Sequence, residues 1–139
     1  MIGFYRQKEG FANPLIHKKV YKKEKVCMIR VSDLIKANVF ELANSGDVSK
    51  SISTPFCCDL LSIAMSRIPH DSAWVTIMGN VNTIAVASLA DVSCIILAEG
   101  VVLDENSKKK ALEQDITVFY TDKPIFEAAL IVNKIINHE

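Results

Sequence analysis

The fold is decided between residues 74 and 97, where the sequence reads WVTIMGNVNTIAVASLADVSCIIL. Residues 74–78 are rich in strand-forming side chains, and Gly79-Asn80 turns the chain. Residues 82–89 are apolar on most sides and include small alanines, as expected of a helix packed closely on a sheet. Residues 93–97 include the apolar run that is typical of a buried parallel strand. A strand, a helix and a strand joined by short connections predict a parallel βαβ unit.

The alternation of helices and strands continues on both sides of this unit. Ser32 is a typical N-cap for a first helix, and Pro124 occupies the first-turn position that opens the last one. Pro55 favours a sheet edge, a bulge or a loop, because proline cannot donate to a central ladder. The further predicted elements are helices over residues 33–36, 59–67, 104–114 and 124–136, strands over 39–42, 52–57 and 116–120, and a turn over 44–47. This order predicts an α/β domain of three-layer type, with helices packed on a mainly parallel sheet of about five strands.

Composition places the chain among ordinary globular domains. Apolar residues make up 50% of its 139 residues, which is enough for a core, and sixteen basic residues balance sixteen acidic ones. A chain with no net charge has no overall electrostatic field that would attract nucleic acid or an anionic membrane, so neither is predicted as a partner. No apolar run approaches the ~20 residues of a membrane-spanning helix, and the first residues lack the apolar core of a signal peptide.

Cysteine and histidine usage predicts reduced thiols and no metal site. The four cysteines include the adjacent pair Cys57-Cys58 but no CxxC, and the three histidines lie far apart. Structural zinc sites need paired ligands at short spacing, which this sequence does not supply. We therefore expect a cytoplasmic protein with no metal and no cofactor.

Although the net charge of the whole chain is zero, its N-terminal extension is basic. Residues 1–27 contain seven Lys or Arg and two Glu, which leaves nine basic and fourteen acidic residues for 28–139. The extension has no clear apolar period and contains Pro14. We therefore interpret 1–27 as a tail and a candidate for partial disorder, and 28–139 as the domain. A basic tail could be a solvated extension, or it could bind nucleic acid or an acidic partner.

The motifs of common catalytic folds are absent from the sequence. The five glycines are too far apart for GxGxxG, and neither GxxxxGK[ST] nor GxSxG occurs. Without a phosphate-binding loop, the chain is not expected to be an ATP-dependent kinase. No catalytic residue is therefore predicted.

Two polar clusters could take part in catalysis, although each also has a structural interpretation. Cys58 could be a thiolate at a helix N-terminus, but the charge of Asp59 would raise the pKa of a neighbouring thiol. The alternative is that Cys57 and Cys58 are mostly buried thiols and that Asp59 caps the helix. His70-Asp71 could form half of a catalytic dyad, or simply a polar turn. An enzyme would require Cys58 or His70 to gain partners from distant parts of the chain.

The main candidate for a ligand site follows the strand predicted over residues 74–78. Residues 79–83, GNVNT, open a helix, and ligands of parallel sheets bind outside the carboxyl ends of the strands, near helix N-termini. Free N–H groups there could hold an anion, or Asn82 could simply cap the helix. Thr121-Asp122 before Pro124 has the same two interpretations. The candidate ligand-binding set is Ser53, Thr54, Asp59, Asn80, Asn82 and Thr83.

Several ordered stretches of the sequence resemble the DRTGG domain family. They are MIRVSDL at 28–34, CDLLS at 58–62, AWVTI at 73–77, NTIAVASL at 82–89, IIL at 95–97 with Gly100, and TDKPIFE at 121–127. The resemblance covers about residues 28–137. The motif that names the family is changed, because Ser49-Lys50 stand in place of Asp-Arg, and residues 53–56, STPF, stand in place of Thr-Gly-Gly-Tyr. The lost glycines and the missing N–H of Pro55 weaken any ligand role for that loop.

The resemblance implies a fold similar to the N-terminal domain of HPr kinase/phosphorylase, and a regulatory role, since related domains accompany CBS modules. We therefore expect a non-catalytic regulatory module that homodimerises and binds a small nucleotide or phosphorylated ligand. One alternative is a ligand-free protein–protein adaptor for a signalling partner, and another is an enzyme that uses Cys58 or His70. HPr kinase activity is not expected, because the sequence has no P-loop.

Overall fold

A computed structural model describes residues 27–139 of the protein. Strands and helices alternate along most of this part of the chain, as the sequence predicts. In chain order the elements are β1 (Ile29–Arg30), α1 (Val31–Ala37), β2 (Glu41–Asn44), β3 (Ser51–Ile52), β4 (Thr54–Cys57), α2 (Leu61–Arg67), β5 (Ser72–Thr76), α3 (Val81–Ala90), β6 (Cys94–Leu97), α4 (Glu105–Glu113), β7 (Val118–Tyr120) and α5 (Ile125–Ile136).

The main sheet has five strands in the order β2-β7-β6-β5-β4. Strands β4 to β7 are parallel, and β2 is antiparallel to β7. The predicted α/β fold with a mainly parallel five-stranded sheet is therefore confirmed. Strand β4, which contains Pro55, lies at one edge of the sheet. Strands β1 and β3 form a separate antiparallel pair that precedes β4.

Helices cover both faces of the sheet, which gives three layers. Strands β4, β5, β6 and β7 are neighbours in the sheet in the order in which they follow one another in the chain. Their crossover connections have the same hand, which places α2, α3 and α4 on one face of the sheet. Their buried residues pack with Trp74, Ile95 and Leu97. Helices α1 and α5 pack on the other face, against a cluster that includes Cys94 and Phe119.

Several element boundaries differ from the prediction: β2 is shifted to Glu41–Asn44, and the strand predicted over 52–57 is divided into β3 and β4. A hydrogen bond accounts for two further differences. Helix α1 begins at Val31 with Arg30 as its N-cap, not at Asp33 after Ser32, and the Asp33 carboxylate accepts the Arg30 N–H at 2.8 Å. Strand β5 ends at Thr76 rather than at Met78, because the next N–H, that of Ile77, donates to a side chain instead of a strand.

The turn predicted over residues 44–47 requires glycine at one position. A Cβ on Gly46 would lie 2.2 Å from the carbonyl oxygen of Asp115, far inside van der Waals contact. The Gly46 N–H donates to the Thr117 hydroxyl at 3.0 Å. The close approach ties the loop after β2 to the start of β7, and only a residue without a side chain allows it.

The predicted tail, residues 1–27, lies outside the described residues except for Cys27. Within residues 27–139, no helix has both the length and the apolar character needed to span a membrane.

Candidate ligand site at the carboxyl edge of the sheet

The carboxyl ends of β4, β5, β6 and β7 meet at one side of the sheet, which we call the carboxyl edge. Because β2 is antiparallel, its first residue, Glu41, pairs with the last residue of β7, Tyr120, and lies at the same edge. The carboxyl edge consists of Glu41 and the loop segments 58–60, 77–80, 98–104 and 121–124. Parallel sheets usually bind their ligands here.

Asp59 connects two of these segments. Its Oδ1 accepts hydrogen bonds from the Thr76 hydroxyl at 2.8 Å and from the Ile77 N–H at 3.0 Å. The interpretation of Asp59 as the cap of α2 is therefore wrong, since α2 begins at Leu61 without a side-chain cap. A second bond, from the Trp74 indole N–H to the Cys58 carbonyl at 3.0 Å, holds the same loop against β5.

Asn80 caps helix α3. Its Oδ1 accepts the N–H of Asn82 at 3.0 Å and of Thr83 at 3.2 Å, so the cap is Asn80 and not Asn82. The side chain of Asn82 is exposed, whereas Thr83 is fully buried and its hydroxyl has no hydrogen-bond partner within residues 27–139. Because Asn80 already occupies these two N–H groups, an anion would have to displace its side chain to use them.

The N–H groups of the loop after β6 are also engaged, because they bond to the loop after β7. Glu99 and Gly100 both have positive φ angles, 59° and 76°. Their N–H groups donate to the carbonyls of Lys123 and Thr121, each at 3.0 Å. The Thr121 hydroxyl accepts the Lys123 N–H, and Pro124 is the N-cap of α5, so Asp122 does not cap that helix. The two loops are thus bonded to each other, which leaves these donors unavailable to an anion.

A cleft of about 260 Å³ opens at the carboxyl edge between the loop after β6 and the start of β2. Tyr120 forms one wall, and its hydroxyl accepts the Leu103 N–H at 3.1 Å. The residues that line the cleft are Val39, Phe40, Glu41, Gly100, Val102, Tyr120, Thr121 and Asp122. None belongs to the six-residue candidate set, although the sequence analysis considered Thr121 and Asp122 before α5. The cleft depends on the pairing of β2 with β7, which no local pattern reveals.

The carboxyl edge is acidic. It carries five carboxylates against the single basic residue Lys123. Within residues 27–139 none of the five forms a salt bridge. For Asp104, the hydrogen bond from the Ser107 N–H lowers the carboxyl pKa, so its charge persists at mildly acidic pH. The five acidic residues are Glu41, Asp59, Glu99, Asp104 and Asp122.

The structure divides the predicted set between two sides of the sheet. Asp59, Asn80, Asn82 and Thr83 lie at the carboxyl edge. Ser53 and Thr54 lie at the opposite side, the amino edge, where the Ser53 N–H donates to the Asp71 carbonyl and Thr54 begins β4. The length of β4 separates the groups by about 13 Å. The six residues therefore do not form one surface.

The thiols differ in exposure. Cys57 is exposed, contrary to the expectation of two mostly buried thiols, and Cys58 is half-buried. Partial desolvation, and then the charge of Asp59, raise the pKa of the Cys57 thiol. Burial raises the pKa of Cys94 to about 12. Both shifts keep the thiol protonated at neutral pH, which is the opposite of an activated nucleophile.

His70 lies at the amino edge, far from Cys58. It lines an open cleft of about 340 Å³ together with the Lys50–Asp91 ion pair. The two residues that could have served an enzyme are therefore at opposite sides of the sheet. No group of three or more His, Cys, Asp or Glu side chains within residues 27–139 is placed to hold a metal ion.

Comparison with known proteins yields a similar fold. No family model matches the sequence, and no curated protein matches it. The solved structure of the CBS and DRTGG domains in the regulatory region of Clostridium perfringens pyrophosphatase, complexed with the activator diadenosine tetraphosphate, is similar with a TM-score of 0.60. The two chains are 15% identical, and the match covers 74% of this chain and 45% of the other. The likeness shows that this chain shares its fold with part of that regulatory region.

Proposed function

We propose that residues 28–139 form a DRTGG-type regulatory module that has no catalytic role and binds a small ligand at the carboxyl edge. The observation that carries the proposal is the cleft beside Gly100, which lies where parallel sheets bind ligands, on a fold shared with a regulatory region. Support also comes from the separation of Cys58 and His70, and from the absence of a P-loop sequence.

The chemistry of the cleft limits the class of ligand. The N–H groups of Glu99 and Gly100 are engaged, and Glu41 and Asp122 place negative charge in the lining. A bare phosphate would meet repulsion here, whereas hydroxyl and amino groups would find carboxylate acceptors. A nucleotide would therefore bind through its sugar and base, with its phosphates directed to solvent or neutralised by a cation. The similar regulatory region binds a dinucleotide as its activator.

Self-association has a candidate surface at helix α2. Only Ala64 of this helix is buried, and Leu60, Ile63 and Met65 are 57%, 40% and 58% exposed. The strand beside it, β4, is an edge of the sheet. An exposed apolar helix next to an edge strand is a favourable place for a second copy, and the module is proposed to homodimerise there. The same surface supports the alternative of a protein–protein adaptor for a signalling partner.

The test is a thermal-shift series with adenosine, ATP, ATP with Mg²⁺ and inorganic phosphate, with light scattering on the same samples. Stabilisation by adenosine and by Mg²⁺–ATP, but not by phosphate, is the expected result, since a ligand that binds only the folded state raises the melting temperature. Glu41→Gln and Asp122→Asn should reduce the shift, and Glu113→Gln, at an exposed position of α4, should leave it unchanged.

Two other outcomes would contradict parts of the proposal. Stabilisation by phosphate alone would place the site away from the acidic cleft. Stabilisation by none of the four compounds, together with a stable dimer, would contradict nucleotide binding and favour the adaptor.

A further inference from the structure

A second cleft, of about 330 Å³, opens between helix α4 and strand β2, and two exposed lysines of α4 line it. The Lys108 ammonium donates to the Glu105 carboxylate at 3.2 Å, whereas Lys109 forms no salt bridge within residues 27–139. The cleft therefore contains two ammonium groups and one carboxylate, and we call it the basic cleft. The residues that line it are Ala43, Asn44, Leu103, Glu105, Lys108, Lys109, Leu112 and Tyr120.

The basic cleft adjoins the cleft beside Gly100, which we call the acidic cleft because two carboxylates and no basic residue line it. Tyr120 lines both clefts. Its hydroxyl accepts the Leu103 N–H at 3.1 Å, and this bond holds the side chain in place as the wall that the two clefts share. Two clefts of opposite charge are therefore neighbours on this surface.

Strand β2 runs along both clefts. Glu41 lines the acidic cleft and Ala43 lines the basic one, and both residues are exposed. Two residues of a strand span about 7 Å, so the clefts are separated by no more than the length of a small ligand. The methyl group of Ala43 is too small to form a barrier between them. One ligand that lies along β2 can therefore contact both clefts.

The opposite charges of the two clefts select a ligand with two different ends. The carboxylates of Glu41 and Asp122 accept hydrogen bonds, so the end in the acidic cleft has to supply hydroxyl or amino donors. The ammonium groups of the basic cleft favour an anion, and lysine is a common phosphate-binding residue. A nucleoside that carries a chain of phosphates has both ends in one molecule. Adenosine would use only the acidic cleft, and inorganic phosphate only the basic one.

We infer that the ligand is a nucleotide with two or more phosphates that binds across Tyr120, with its sugar and base in the acidic cleft and its phosphates at Lys108 and Lys109. The inference rests on the proposed function, and it assigns the phosphates to residues of this chain. Lys109 contributes more than Lys108, because Lys108 already donates to Glu105. Binding requires no Mg²⁺, since the ammonium groups neutralise the phosphates.

The test is isothermal titration calorimetry of the full chain with adenosine, ADP and ATP, in a buffer that contains EDTA and no divalent cation. We expect ADP and ATP to bind about tenfold more tightly than adenosine, because only they reach the basic cleft. Raising the salt concentration to about 1 M, where the Debye length is about 3 Å, should remove most of this advantage and leave the affinity for adenosine unchanged.

Two neighbouring lysines of α4 provide a matched pair of variants. Lys109→Gln should weaken the binding of ATP by roughly three- to tenfold and leave the binding of adenosine unchanged. Lys110→Gln makes the same change in net charge one residue further along, but Lys110 lines neither cleft and lies 4.0 Å from the Glu113 carboxylate. It should leave both affinities unchanged. Because Lys109 is exposed and unpaired within residues 27–139, its replacement should not unfold the domain.

Three outcomes would overturn the inference, and they differ in what they mean for the proposed function. If adenosine binds but ATP binds no more tightly without Mg²⁺, the phosphates do not use the basic cleft, and the proposed function stands. If Lys109→Gln and Lys110→Gln weaken ATP binding equally, the general charge of α4 is responsible and not the cleft. If neither adenosine nor either nucleotide binds, the inference and nucleotide binding at the acidic cleft both fail.

Discussion

At the scale of single residues, the two asparagines at the start of α3 have separable roles. Asn80 accepts two N–H groups of the first turn, whereas the Asn82 side chain is exposed within the helix. Asn80→Ala should therefore lower the free energy of unfolding by about 1 kcal/mol. Asn82→Ala should change it by less than about 0.7 kcal/mol, in the stabilising direction, because alanine is the better helix former. Urea denaturation of both variants measures the difference.

The same two variants also distinguish a structural role of Asn80 from a role in ligand binding. If Asn80→Ala lowers stability as expected and leaves the ligand-induced thermal shift unchanged, the cap is its whole contribution. Equal destabilisation by both variants would contradict the assignment of the cap to Asn80.

The Cys57 thiol should react slowly with alkylating reagents, partly because of the negative charge of Asp59. The raised pKa of Cys57 means less thiolate at pH 8, so iodoacetamide should modify it more slowly than a cysteine in a short unstructured peptide. Asp59→Asn removes the neighbouring charge and should accelerate the reaction at Cys57. Mass spectrometry of time points between pH 7 and 9 measures both rates. Rapid modification of Cys57 below pH 7 would contradict the raised pKa of this thiol.

At the scale of elements, helix α2 is the proposed dimer surface, because it exposes Ile63 and Met65 beside an edge strand. Ile63→Lys should shift the proposed dimer to monomer in sedimentation velocity, because a charge buried without a partner at an interface is costly. Its effect on the stability of the domain itself should be small, since the Ile63 side chain is 40% exposed. Leu112→Lys, at a residue 67% exposed on α4, is the control and should leave association unchanged. A monomeric unmodified protein would contradict the proposed dimer.

The order of elements was predictable from sequence, whereas their contacts were not. Apolar runs such as CIIL in β6 and the Pro55 segment at a sheet edge follow from local composition. The contacts of Asp59 could not be predicted from local composition, because its partners Thr76 and Ile77 are 17 and 18 residues away in the sequence. The cleft beside Gly100 is missed for the same reason, since it forms only when β2 returns to pair with β7.

At the scale of the whole molecule, the buried Cys94 links global stability to alkaline pH. Cys94 lies fully buried in β6, and burial raises its pKa from 9.0 to about 12. The stability that this shift contributes is fully present below about pH 9, the pKa of the unfolded chain, and is lost as pH rises towards 12. In that interval the unfolded chain releases a proton that the folded chain retains, so unfolding gains up to about 1.4 kcal/mol per pH unit.

A comparison with Cys94→Ala isolates this effect from the other groups that titrate at high pH. The variant leaves a small cavity and should be less stable at pH 8, by about 1 kcal/mol or more. The difference in free energy of unfolding between the two proteins should then shrink from pH 9 to pH 11, because only the unmodified chain has the buried thiol. Urea denaturation at pH 8, 9, 10 and 11 measures that difference. A constant difference across the series would mean that the buried thiol is not coupled to global unfolding, and that β6 opens locally to let it ionise.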